Sequence, residues 1–131
     1  MIKERMRSDL ILEFLIKKAF ITEVQLDTYL SYKYGERKGL SLDERIGLRD
    51  GRRVSKGAFL RTLKQARGRI QRALWTLLLV NYLGLLTKDG LSALVNIGEL
   101  LLKLEGKVLS DDAVAKIIDA LTRTVDGMVN E

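Results

Sequence analysis

The chain contains no cysteine, no histidine and no proline. Without cysteine there is no disulfide framework, no thiolate nucleophile and no thiolate zinc site. Without histidine it lacks the side chain that most often moves protons near neutral pH and the commonest nitrogen ligand for metals. An enzyme here would have to work with carboxylates, lysines, tyrosines or serines alone, so these absences count against catalysis, and no cofactor or metal is expected. Amide side chains are also scarce, being limited to Asn81, Asn96, Asn130, Gln25, Gln65 and Gln71. Together with the missing cysteine, this resembles a composition selected against heat-labile side chains, and a thermostable protein is the expectation. Residues 1 to 7 alternate in charge, and the apolar stretch after them is broken by Glu13, Lys17 and Lys18. No signal-peptide pattern results, and a cytoplasmic location is expected.

What is present is a chain of 131 residues, 47% hydrophobic and 31% charged, which suits one cooperative core. No useful length of period-two alternation occurs, so the expected fold is all-α, with five or six helices. The first should run from about Ile2 to Phe20, its repeat marked by Met6, Leu10, Phe14 and Lys17 or Lys18. Thr22 suits the N-cap of a second helix reaching about Tyr34, and Ser41 that of a short third one ending near Leu48, with Asp43 and Glu44 in its first turn. Arg49-Asp50-Gly51-Arg52-Arg53 reads as a turn. Ser55 then caps the longest helix, about Lys56 to Leu85. Thr87 or Asp89 opens another that ends near Gly106, and Ser110 with Asp111 and Asp112 opens the last, to about Met128. Asp111 and Asp112 fit a helix start better than a metal pair. Gly35, Gly39, Gly51, Gly90 and Gly106 sit where the apolar repeat breaks and suit helix ends.

Charge is distributed unevenly. Residues 1 to 50 carry ten basic and nine acidic side chains, and residues 87 to 131 carry five and eight. Between them, residues 51 to 86 hold Arg52, Arg53, Lys56, Arg61, Lys64, Arg67, Arg69 and Arg72 with no acid at all. The local balances of +1, −3 and +8 make the net +6. Wound at 100° per residue, the long helix puts Phe59, Leu63, Ala66, Ile70, Ala73, Leu74 and Leu77 on one side. Arg61, Lys64, Gln65, Gly68, Arg69 and Arg72 fall on the other. No acid four residues away in the helix neutralises the basic face, and such a stripe is the electrostatic footprint of a nucleic-acid-binding helix. Charge alone leaves three readings open: a nucleic-acid surface, a solvated or internally paired face, and a surface for an acidic protein or membrane.

Leu74 to Leu86 is nearly all apolar, yet thirteen residues span only about 20 Å as a helix against a bilayer core of about 30 Å. A buried core helix is expected, with Trp75 a core residue rather than a stacking platform. Apolar residues all round this half require cover by other helices or by a second subunit, and a homodimer is expected. Gly84 and Gly98 suit either close helix approach or a break.

Three segments carry a family likeness: Gly39-Leu40-Ser41-Leu42-Asp43-Glu44-Arg45-Ile46, Val54-Ser55-Lys56-Gly57, and Leu63-Lys64-Gln65-Ala66-Arg67-Gly68-Arg69-Ile70. Together they resemble the helix-turn-helix of region four in bacterial sigma factors. They are also similar to archaeal Tfx-type regulators. Such regulators open the unit with Leu-Thr-Glu-x-Gln, and Ile21-Thr22-Glu23-Val24-Gln25 is close to that run. Ala66, Arg69-Ile70 and Ala73-Leu74-Trp75-Thr76-Leu77 occupy the spacing of the later motif, with Arg69 in place of an Asn. The likeness covers residues 21 to 78, and its turn is about three residues longer than the usual pattern.

That resemblance implies a helix-turn-helix transcriptional regulator of double-stranded DNA, in which helix 41 to 48 crosses the backbone and the start of the long helix enters the major groove. Lys56, Ala58, Arg61, Thr62 and Gln65 then become candidate readers of base edges. Arg52, Arg53, Lys64, Arg69 and Arg72 become candidate phosphate contacts, with Arg67 structural. Six phosphate contacts would give a log-affinity slope against log salt of about −5. The alternative is a protein interaction module that presents the basic face to an acidic partner. The domain expectation is one helical unit, 1 to 131, with residues 1 to 86 as the DNA-binding part and 87 to 131 as a packing or dimerisation part. No membrane and no small-molecule substrate are expected.

Overall fold

The computed structural model describes residues 1–129 of the chain. Among them are seven helices and no strand: α1 Ile2–Ser8, α2 Leu10–Lys18, α3 Glu23–Arg37, α4 Leu42–Gly47, α5 Lys56–Tyr82, α6 Gly90–Leu104 and α7 Asp111–Val129. The all-α expectation holds, with one helix more than expected.

The extra helix arises at Asp9. Its backbone is extended, at φ −134° and ψ 91°, so it ends α1 and caps α2, accepting a hydrogen bond from the Leu12 amide at 2.9 Å. The apolar repeat runs unbroken across this joint and conceals it, while a short polar side chain competes locally for backbone donors. The other starts follow the expected caps. Thr22 and Gln25 form a reciprocal capping box at α3, and Ser41 and Glu44 form one at α4. Ser55 Oγ accepts from the Ala58 amide at 3.1 Å, and Ser110 Oγ accepts from the Ala113 amide at 3.1 Å.

Gly35 is not a helix end. It lies inside α3 and is buried, and a Cβ there would come within 2.2 Å of Arg45 Cγ. The helix closes at Gly39 instead, where φ is 69° and the Leu40 amide bonds back to the Gly35 carbonyl at 2.8 Å. Gly84, also at φ 69°, closes α5 in the same way through Leu85 N–H to the Val80 carbonyl. The long helix therefore stops at Tyr82 rather than Leu85.

The chain forms two compact units, Met1–Leu74 and Trp75–Glu131. In the first, the apolar core is Ile2, Ile11, Ile46, Phe59, Leu63 and Ala66. Phe59 and Ala66 are wholly buried, and burying a side chain the size of Phe or Leu contributes about 1.5–3 kcal/mol. α3 adds a polar buried face of Gln25, Asp27, Thr28 and Ser31. Small side chains here, with Gly35, let α4 lie close against α3.

Asp27 joins three parts of this unit. Its carboxylate accepts from the Ile2 amide at 2.9 Å and from the Asp50 amide at 2.8 Å, and it lies 3.1 Å from the Met1 ammonium. Asp50 also pairs with that ammonium and accepts from the Lys3 amide at 2.9 Å. The segment between α4 and α5 is thus tied to α1 and α3 rather than hanging as a loose loop.

In the second unit α6 and α7 pack together. Val114, Leu121 and Met128, seven residues apart, form the buried line along α7. The Thr87 amide donates to the Met128 carbonyl at 2.9 Å, which fixes the start of α6 against the end of α7.

Two expectations for α5 are corrected here. The buried face ends at Ala66: Ile70 is 37% exposed and Leu74 56%. Trp75, expected in the core, is 70% exposed, and Tyr82 is 87% exposed. Hydrophobicity identified these residues as needing cover, and the packing within each unit does not supply it. No described helix is long and apolar enough to cross a membrane.

Candidate nucleic-acid interface

The basic segment belongs to the first unit and divides into three groups according to what its cations touch. On the face of α5 opposite Phe59, Leu63 and Ala66 lie Arg61, Lys64, Gln65 and Arg72, all exposed. Lys56 is exposed at the helix start, and Arg52 is exposed just before it. Among the described residues the side chains of Arg52, Lys56, Arg61 and Lys64 make no ion pair, hydrogen bond or ring contact; Arg72 is engaged within the protein. Thr62 is half-buried on the flank of α5, as is Ala58 in its first turn.

The second group is held internally. Arg53 pairs with the Asp43 carboxylate of α4, and it also donates to the Asp43 carbonyl at 3.1 Å. Arg69 lies over the Phe20 ring, 4.3 Å from its centre, and donates to the Phe20 carbonyl at 3.4 Å. Both were expected as phosphate contacts. Their partners lie 10 and 49 residues away in sequence, beyond the reach of any helical-spacing rule.

The third group braces the helix. Arg67 sits over Tyr32 at 5.1 Å and over Tyr29 at 5.8 Å from the ring centres. Arg45 of α4 sits over the same Tyr32 at 4.7 Å, while its Nε donates to the Leu40 carbonyl at 3.0 Å. Tyr32 therefore takes one guanidinium from α4 and one from α5, which couples both helices to α3. The expected structural role of Arg67 matches this placement.

The segment from Leu48 to Ser55 between α4 and α5 is long for a tight helical turn. Its ordering comes from Asp27 and Asp50, which composition did not single out. Asp27 was the one acid surrounded by small and apolar neighbours on α3, and that was the available signal. Arg52 follows Gly51, where φ is 78°, and so extends from an anchored turn. Burial disfavours the charged form of the Met1 ammonium, but hydrogen bonds to Asp50 and Asp27 outweigh it and raise its pKa above the ordinary 8.0. The Asp50 carboxyl is lowered from 3.8: burial opposes ionisation, and the Lys3 amide and the ammonium more than offset it.

Acidic side chains of α7 pair locally, Asp112 with Lys116 at 3.1 Å and Asp119 with Arg123. Among the described residues no cluster of three or more acidic side chains that could hold a metal ion occurs. No protein-family model, curated protein or solved structure matches this chain.

Proposed function

We propose that the protein binds double-stranded DNA through the outward face of α5, as a non-catalytic helix-turn-helix regulator of transcription. The observation that carries this reading is the set Arg52, Lys56, Arg61 and Lys64: four exposed cations without side-chain partners among the described residues, on a helix braced from behind by Arg67 and Tyr32. Cations on a fixed scaffold meet phosphates with little loss of backbone freedom, and release the counterions condensed on the duplex. Arg61 and Gln65, one turn apart, are suited to guanine and adenine edges in the major groove. Arg52, Lys56 and Lys64 suit phosphates, which set register.

Removal of Arg53 and Arg69 from the phosphate set lowers the expected salt slope. Three phosphate contacts, from Arg52, Lys56 and Lys64, correspond to a log-affinity slope of about −3 rather than −5. Fluorescence anisotropy of labelled random duplex across a salt series tests this. Steep salt dependence with duplex preferred over single strands supports the reading. Failure to bind any duplex at low salt refutes it, and pull-down of an acidic protein that survives nuclease treatment would then identify the basic face as a protein-docking surface.

A further inference from the structure

The second unit leaves an uncovered apolar stripe. Trp75, Leu78, Leu79 and Tyr82 lie three and four residues apart on one side of α5, at 70%, 53%, 57% and 87% exposure, and Leu83 and Leu85, just past the helix end, are 59% and 62% exposed. Aromatic side chains bury about 150–250 Å² each. With four leucines beside the two aromatics, the stripe offers roughly 600–800 Å², near the about 800 Å² per partner of a stable protein pair. A monomer's largest apolar patch is ordinarily about 300–600 Å² and already marks an interaction site.

Residues 73 to 87 contain no lysine, arginine, aspartate or glutamate. That composition, aromatic and without charge, is the composition of a fully desolvated interface core. It does not suit a membrane surface, where a binding helix sets cations along the edge of its apolar face.

We infer that this stripe is the interface of an antiparallel homodimer, with its two-fold axis passing between Leu78 and Leu79. Reversing the stripe about that point exchanges Trp75 with Tyr82 and Leu78 with Leu79. An aromatic residue at one end of one copy therefore meets the aromatic residue at the opposite end of the other, and leucine meets leucine at the centre. Self-complementarity of this kind is what a two-fold interface requires. No like charges are brought together by the pairing. A parallel pair would set Trp75 against Trp75 and carry the cations that precede residue 73 on both copies to the same end; the antiparallel pair separates them. This inference stands apart from DNA binding, and its test contains no DNA.

Sedimentation equilibrium of the full chain should give a dimer at micromolar concentration, and Leu79→Lys should give a helical monomer. Emission of Trp75, the only tryptophan, should shift to the red as the wild-type protein is diluted through its dissociation range. Because the chain has no cysteine, introduced thiols report orientation even where Leu79→Lys fails to fold. On mild oxidation a mixture of Trp75→Cys and Tyr82→Cys proteins should cross-link to each other, and neither should cross-link to itself. A wild-type monomer throughout the micromolar range overturns the inference. So does self-linking of the single-cysteine proteins, which marks a parallel pair, or flotation of the wild-type protein with anionic vesicles in place of dimerisation.

Discussion

The ring of Tyr32 takes the guanidinium of Arg67 at 5.1 Å while Arg45 lies over it at 4.7 Å, so one aromatic residue of α3 orients both helices of the basic region. Arg67 is exposed, and its contribution is of the size found for solvent-facing cation–π pairs. Arg67→Ala should lower stability by about 0.5–1 kcal/mol. Chemical denaturation measures this, and Arg67→Lys should recover only part of the loss, since lysine lacks the planar group that stacks.

Arg61 and Lys64 are expected to meet phosphate or base directly. The double variant Arg61→Ala/Lys64→Ala should make the salt slope of duplex binding shallower by about 1, from the lost Lys64 phosphate contact, and weaken binding further through the lost Arg61 base contact, with helical circular dichroism unchanged. Arg53→Ala should leave that slope where it is, because this side chain is already paired with Asp43. Equal effects of the two changes would defeat the division of the cations into outward and internally held groups.

Gly35→Ala should be costly for a residue that is ordinarily a better helix former. The added methyl meets Arg45 Cγ at 2.2 Å and Cβ at 3.2 Å, too near the root of that side chain for a tip rotation to relieve. Overpacking of this kind costs about 1–3 kcal/mol. A thermal melt of the variant should show a lowered midpoint, and a raised one would mean that Arg45 can leave without loss.

Stability should fall at both ends of the pH scale through one contact. The Met1 ammonium has its pKa raised from 8.0, so its contribution is complete below pH 8 and disappears as pH climbs through the higher folded value. The Asp50 carboxyl is lowered from 3.8, so its contribution is complete above that value and is lost as pH falls toward and through the lower folded one. Melting midpoints followed from acid to alkaline pH should show both losses, and Asp50→Asn should reduce both.

Much of the fold was legible because helix starts are written locally. Thr22, Ser41, Ser55 and Ser110 each bond to an amide within three residues, and each was recognisable from its own neighbourhood. Asp9 was missed because Met6, Leu10 and Phe14 keep helical spacing straight across it. Gly35 was misplaced because a buried glycine inside a helix and a glycine that ends one look alike until Arg45 is seen against it. In the candidate interface, the outward face of α5 followed from 100° per residue. The capture of Arg53 by Asp43 and of Arg69 by Phe20 depended on tertiary neighbours. For Trp75 the sequence recorded a demand for burial, and no arithmetic on one chain reveals which molecule meets it.

Gly35 also bears on the order of folding. A glycine within a helix costs about 0.8–1 kcal/mol relative to alanine, and the side chains α3 turns inward are mostly polar and small. Cut out as a peptide, α3 would have little reason to coil by itself. It should therefore acquire its shape late, on a template already furnished by Phe59, Leu63 and Ile46, and slow refolding of α3 relative to the amino-terminal half of α5 would be the kinetic trace of a helix that borrows its stability from its neighbours.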